Sequence, residues 1–268
     1  MRSLGMMRNV WKAAGAAVAL LAVLSGAASA GSLDDIVKRG RIRVGVYVDN
    51  PPIGYTDDAG NPTGADIDVA RLLAKDLKVE LDLVPVTAPN RVPFLLTNKV
   101  DVVMASLVPS PERAKTISFS NPYGSLPIAV FARKDTVIRE PADLAGKRLS
   151  VVRGSVAAQA IKAVAPKGAT IVEYDDNATT ITAFASGQTD AVVIASSTGQ
   201  ILAKQANGTP VEAKLTVKNV YYSIGLRRGD PDLLHWLNIF IFTHSEDGEL
   251  NAIYKNRFGQ EMKTFPVF

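Results

Sequence analysis

Between residues 106 and 123 the chain reads Ser-Leu-Val-Pro-Ser-Pro-Glu-Arg-Ala-Lys-Thr-Ile-Ser-Phe-Ser-Asn-Pro-Tyr, with Arg113 at its centre. Ser110 has N-cap character and Pro111 suits a first helical position, so Arg113 falls in the first turn, where the helix dipole disfavours a cation. A bound anion resolves the conflict. The guanidinium offers a two-pronged donor fork to a carboxylate, and free N–H groups at a helix start add to it. On this stretch alone a solvated surface arginine accounts for the residues equally well.

Other chemistries leave no mark. The chain has no Gly-x-Ser-x-Gly elbow, no phosphate-binding glycine loop and no His-Glu-x-x-His motif. His235 and His244 are its two histidines, both in the C-terminal helical region, where they read as surface or packing residues rather than metal ligands. No cofactor, metal or catalytic residue is expected.

Arg2, Arg8 and Lys12 precede an uncharged run from Ala13 to Leu24 and a small-residue segment ending at Ala30. That is the pattern of a cleavable secretory leader over residues 1–30, and the run is shorter than the ~20 residues of a spanning helix. The leader carries three of the 30 basic residues and no acidic ones, so the mature chain holds 27 basic against 26 acidic side chains. A near-neutral chain without a Lys/Arg run has no electrostatic reason to bind nucleic acid or an anionic membrane. The absence of cysteine excludes lipidation at a mature N-terminus and any disulfide frame, so packed cores must hold the fold.

The elements that position Arg113 follow from periodicity. Helices are predicted over 33–38, 65–77, 91–96, 156–164, 177–186, 231–244 and 248–258. Strands are predicted over 41–48, 79–86, 100–105, 127–134, 148–152, 170–174, 190–195 and 217–228. The cluster from Asp49 to Gly64, with three prolines and three glycines, reads as a loop or hairpin. Asn98-Lys-Val-Asp-Val-Val-Met-Ala105 and Gln188-Thr-Asp-Ala-Val-Val-Ile-Ala195 repeat one arrangement, a helix and a polar turn before an Asp-headed strand. Two similar Rossmann-like α/β lobes follow, joined by two hinge strands near 127–132 and 217–223. Ligands of open α/β sheets bind beyond strand carboxyl ends, which places Tyr47, Ser106, Gly154 and Ala195 on one cleft.

Arg43-Val-Gly45, Pro51-Pro52, Gly64-Ala-Asp-Ile-Asp68, Lys99-Val-Asp101, Ser110-Pro-Glu-Arg113, Phe119-Ser-Asn-Pro-Tyr123, Asp143-Leu-Ala-Gly-Lys147 and Gly154-Ser155 occur in that order. In this set and spacing the chain resembles the polar-amino-acid family of periplasmic solute-binding proteins, the soluble receptors of ABC importers. The resemblance implies a type II periplasmic binding fold, with residues 31–128 plus 220–268 in one lobe and 129–219 in the other. It also implies hinge closure on a small solute and delivery to an inner-membrane ABC permease. A receptor that is neither lipidated nor anchored implies a periplasm bounded by two membranes.

By the same resemblance Arg113 holds a ligand carboxylate, helped by Ser106 and by backbone N–H groups near Val108 and Ser155, and Tyr47 lines the pocket. Thr87-Ala-Pro-Asn-Arg-Val-Pro93 is similar to the segment by which glutamate/aspartate receptors bind a side-chain carboxylate, which assigns Arg91 to a second carboxylate. A helix-start arginine paired with Asp82 or left in water is the structural alternative. The family's ammonium-binding aspartate corresponds to Ala195, Val108 and Val156 replace hydroxyl residues, and Ala65 replaces an aromatic ring. The ligand is therefore an amino acid, including an acidic one, with Asp49, Asp175 or Asp176 supplying the missing carboxylate, or an amine-free acid such as a dicarboxylate. A cyclohexadienyl dehydratase-like enzyme and a sensor module share the fold and rank below a receptor.

Overall fold

The computed structural model describes residues 32–205 and 208–262. The leader expected over 1–30 lies outside them. Among the described residues no helix is long and apolar enough to cross a membrane.

Helix α1 (Ser32–Arg39) leads into β1 (Arg41–Val46), and the Asp49–Gly64 cluster forms a small antiparallel sheet of β2 (Asp49–Asn50), β3 (Gly54–Thr56) and β4 (Pro62–Thr63). Helix α2 (Ala65–Leu77) follows, then β5 (Glu80–Pro85), α3 (Arg91–Leu96) and the short β6 (Val102–Val103). Ile67, Ala70, Leu73, Ala74 and Leu77 form one buried face of α2, as their 3.6-residue spacing requires. Truncating a fully buried leucine such as Leu73 to Ala costs about 2–5 kcal/mol.

The second half repeats the order with β8 (Arg148–Val152), α5 (Val156–Val164), β9 (Thr170–Tyr174), α6 (Asn177–Ala185) and β10 (Ala191–Ala195). The repeat extends to hydrogen bonds. Asp101 accepts the Arg43 amide at 2.8 Å and the Arg43 guanidinium, while Asp190 accepts the Arg148 amide at 2.7 Å and the Arg148 guanidinium. Each arginine also reaches the carbonyl of a left-handed residue that ends the preceding helix, Asn98 (φ 58°) or Gly187 (φ 78°). Each Asp thus fixes the start of its own strand against the parallel neighbour.

Between the halves run two 17-residue strands, β7 (Ile117–Arg133) and β11 (Val211–Arg227). The eight-stranded sheet has the order β5-β1-β6-β11-β7-β10-β8-β9, parallel within each outer trio and antiparallel through the central pair. The strands expected over 127–134 and 217–228 are therefore the ends of longer elements. Pro122 and Pro127 do not interrupt β7, because register shifts between Tyr222 and Ser223 and between Thr216 and Lys218 lie beside them in the partner strand. Gly124 lies opposite Tyr222, and a Cβ there would sit 2.0 Å from the tyrosine ring.

The periodicity reading contains no helix directly after β10, yet α7 (Ser196–Gln205) begins there. Its polar Ser-Ser-Thr-Gly start hides the helix, whose Gly199 packs against the Phe131 ring. Helices α8 (Pro231–Glu246) and α9 (Glu249–Phe258) return to the first half. Leu233 and Leu237 are buried on α8, and Trp236 stacks on Phe240 at a centroid distance of 5.7 Å. His235 is exposed, whereas His244 is buried among Asp76, Asp247 and Glu249.

Candidate functional site

The carboxyl ends of β1, β6, β8 and β10 and the middle of β7 surround a cavity of about 50 Å³, partly open to solvent. Tyr47, Asn50, Ile53, Arg91, Ser106, Leu126 and Ile128 line it from one side, and Val152, Ser155, Val156, Ala157, Asn177, Val193, Ile194 and Ala195 from the other. Six of the eight site residues expected from the sequence, Tyr47, Arg91, Ser106, Ser155, Val156 and Ala195, meet there. Val108 and Arg113 do not line the cavity.

Arg91 is 2% exposed, an unusual position for a guanidinium. Its Nη1 donates to the Tyr47 hydroxyl at 2.9 Å, to the Ala105 carbonyl at 2.7 Å and to the Ser106 carbonyl at 3.4 Å. The alternative pairing with Asp82 is absent. Carbonyls and a phenol hold the side chain without neutralising it, and Nη2 is buried with no partner among the described residues. Burial of Tyr47 pushes its phenol upward despite the nearby Arg91 charge, so the hydroxyl stays protonated.

Ser110 caps α4 (Pro111–Ala114) by accepting the Arg113 amide at 3.2 Å, as its type and place predict. The Arg113 guanidinium donates to the Val108 carbonyl and to the Gly154 carbonyl, each at 2.8 Å. Val108 precedes β7 and Gly154 follows β8, so the side chain spans the two halves. Desolvation, with the Arg91 charge second, lowers the Arg113 pKa to about 10. The two guanidiniums thus lie within electrostatic reach of each other.

Ser155 caps α5, accepting the Ala158 amide at 3.0 Å, and its own N–H donates to Val152 at 3.1 Å rather than pointing freely into the cavity. Val156 and Ala157, in the first turn of α5, form part of the wall. The positive end of that helix dipole adds to the cationic character of the cavity.

The acids proposed to receive an ammonium group are engaged elsewhere. Asp49 accepts the Asn177 backbone N–H at 2.8 Å and its side-chain amide at 3.2 Å. Asp175 pairs with Arg153, and Asp176 caps α6 at Thr179. None lines the cavity. The Asp49 bonds, with Thr198 donating to Asn50 at 2.8 Å, tie the small β2–β4 sheet to α6 and α7 across the cavity. These ties and the Arg113 bridge link the two halves of the sheet.

Sequence reasoning missed Asp66 as a site residue. It is fully buried in the first turn of α2 and accepts the Ser106 amide at 3.0 Å and the Tyr123 hydroxyl at 2.8 Å. Desolvation raises its pKa to about 7, against the opposing pull of those two bonds. Ser106 has φ 47°, a left-handed conformation costly for serine, and the Asp66 bond holds it there with Oγ buried and unpartnered. An acid on the apolar side of α2, within the Gly64–Asp68 motif, was the available signal.

A pseudo-repeated α/β sheet joined by two long strands, with the site where the halves meet, defines a type II periplasmic binding protein. The chain belongs to the bacterial extracellular solute-binding proteins, family 3, whose pattern residues 42–260 match. It is 30% identical over 250 residues to the L-cystine-binding protein TcyJ of Escherichia coli, covering 92% of this chain and 94% of that protein. The glutamine-binding protein of Geobacillus stearothermophilus is 32% identical over 170 residues, 62% of this chain and 64% of the relative. Among solved structures, the ancestral amino acid-binding protein AncCDT-1, a precursor of cyclohexadienyl dehydratase, superimposes with a TM-score of 0.79 at 35% identity, covering 85% of this chain and 99% of that one. The solute receptor for L-cysteine of Neisseria gonorrhoeae gives 0.78 at 30% identity, over 84% and 92%.

Proposed function

We propose that this protein is the periplasmic receptor of an ABC importer and captures a small carboxylate solute of amino-acid size. Residues 31–128 with 220–268 act as one lobe and 129–219 as the other, closing about β7 and β11. The carrying observation is the Arg91 guanidinium, 2% exposed and with Nη2 unpartnered, on the wall of a cavity whose lining contains no Asp or Glu. A buried cation without an anionic partner is costly, and a bound carboxylate supplies the missing charge and hydrogen bonds.

Ligand contact with both sides favours the closed state, because binding shifts a pre-existing equilibrium only by differential affinity. The closed form is then delivered to a membrane permease. The relatives named for binding cystine and glutamine support the size class, and the solute-binding family supports the receptor role. A receptor rather than a dehydratase is favoured because the lining offers no Asp, Glu or His to act as general acid or base.

Calorimetry on protein unfolded and refolded to strip retained ligand tests the reading. Micromolar or tighter binding of a small carboxylate is expected. No binding across amino acids and organic acids, or turnover of prephenate or arogenate, would overturn it.

A further inference from the structure

Given that receptor role, on which this step rests, we infer that the cleft selects an amine-free carboxylate and discriminates against the α-ammonium group of ordinary amino acids. Arg91 is the one charged side chain among the lining residues, and Asp49 and Asp66 act on the cavity only from behind the wall. Arg91 is in the wall, Arg113 bridges just beyond it, and the first turn of α5 adds the positive end of a helix dipole.

Every nearby carboxylate is spent. Asp66 gives one oxygen to the Ser106 amide and the other to the Tyr123 hydroxyl, from behind the wall. Asp49 gives both oxygens to Asn177. Asp175 and Asp176 serve Arg153 and the start of α6. The polar groups that remain are matched to an anion: Arg91 Nη2 and the Ser106 hydroxyl are both unpartnered among the described residues, and both residues line the cavity.

An ammonium group in this cavity would meet only neutral acceptors, such as the Ser106 hydroxyl and the Asn177 amide oxygen, while facing two guanidinium charges. Neutral acceptors satisfy its hydrogens but leave its charge uncompensated in a desolvated site. Ile53 on the Arg91 side and Val156, Ile194 and Ala195 on the other are apolar, which suits a hydrocarbon body. An acid of charge −1 or −2 meets these conditions better than a zwitterion does.

Matched pairs read the inference directly: glutarate against L-glutamate, and 4-methylpentanoate against L-leucine, each titrated calorimetrically into refolded protein. The amine-free member should bind at least tenfold more tightly in any pair that binds. In Ala195→Asp, which places a carboxylate on the apolar wall, the preference should move at least tenfold toward the amino acid. Wild-type binding of the amino acid as tightly as, or more tightly than, its amine-free counterpart overturns the inference and leaves the receptor role standing. No binding by any member, nor across a wider panel of amino acids and organic acids, with native circular dichroism and cooperative melting retained, overturns both. An unchanged preference in a folded Ala195→Asp removes charge balance as the cause, and if that variant does not fold, the wild-type pairs decide alone.

Discussion

Asp66 Oδ2 accepts the backbone N–H of Ser106 at 3.0 Å, joining the first turn of α2 to the end of a strand segment 40 residues away. Arg91 grips the same turn through the Ala105 and Ser106 carbonyls. The floor of the cavity is therefore held by a carboxyl on one side and a guanidinium on the other, and Ser106 sits there in a left-handed backbone conformation that neither neighbour in sequence dictates.

Asp66→Ala should destabilise the protein by about 2–4 kcal/mol, since it leaves the Ser106 amide and the Tyr123 hydroxyl buried without an acceptor. Urea denaturation measures this, and a loss below about 1 kcal/mol would contradict the role. The Asp66 carboxyl is raised to about 7, so its contribution to stability is fully present below its ordinary value of 3.8 and is lost as pH rises through 7. Asp66→Asn should flatten that part of the pH profile.

Arg91→Met removes a buried cation lacking an anionic partner but leaves the Ala105 and Ser106 carbonyls without its donor, so ligand-free stability should fall by about 1–3 kcal/mol. Carboxylate affinity should fall roughly a hundredfold, the loss of charge-assisted bonds worth about 3 kcal/mol. Thermal melts beside calorimetry separate the two effects. Unchanged affinity would remove Arg91 from the site.

Arg113→Ala and Asp49→Ala should both weaken binding although neither residue lines the cavity. Arg113 loses bonds to the Val108 and Gly154 carbonyls, on the order of 3 kcal/mol. Asp49 loses the Asn177 pair and costs about tenfold in affinity. Small-angle scattering at saturating ligand should show more open molecules in each variant, and wild-type compaction in both would refute the latch.

His244 Nε2 lies 2.7 Å from Asp76, and its Nδ1 lies 2.9 Å from Asp247 and 3.0 Å from Glu249. Burial works against the imidazolium, but the Asp76 bond and charge and the Asp247 charge prevail, so its pKa is raised above 6.5. The stability it contributes is therefore complete below pH 6.5 and lost as pH rises through the folded value. His244→Gln should abolish that decline in a melting series from pH 5 to 9, and an identical slope in the variant would exclude His244 as its source.

Helices α2 and α3 were legible to the residue, because their apolar spacing and the loops before them are local properties. So were β8, α5 and β9. The Asp101 and Asp190 motifs were recognisable as a repeat, and each proves to anchor an arginine at the start of the neighbouring strand. The caps at Ser110 and Ser155 were equally local. The strands through the centre were not, since Pro122 and Pro127 look like interruptions until β11 shifts register beside them.

The sequence by itself determined an α/β chain of two similar halves and the family to which it belongs, and singled out Arg91 and Arg113. Only the tertiary structure decided that Arg113 bridges the halves while Arg91 forms the wall. It also decided that Asp49 bonds to Asn177 across the cavity and that Asp66 supports Ser106. The physical reason is range. Periodicity and capping act over a few residues, whereas the bonds that assign these roles join groups 14 to 148 residues apart and exist only when both halves of the sheet are in place.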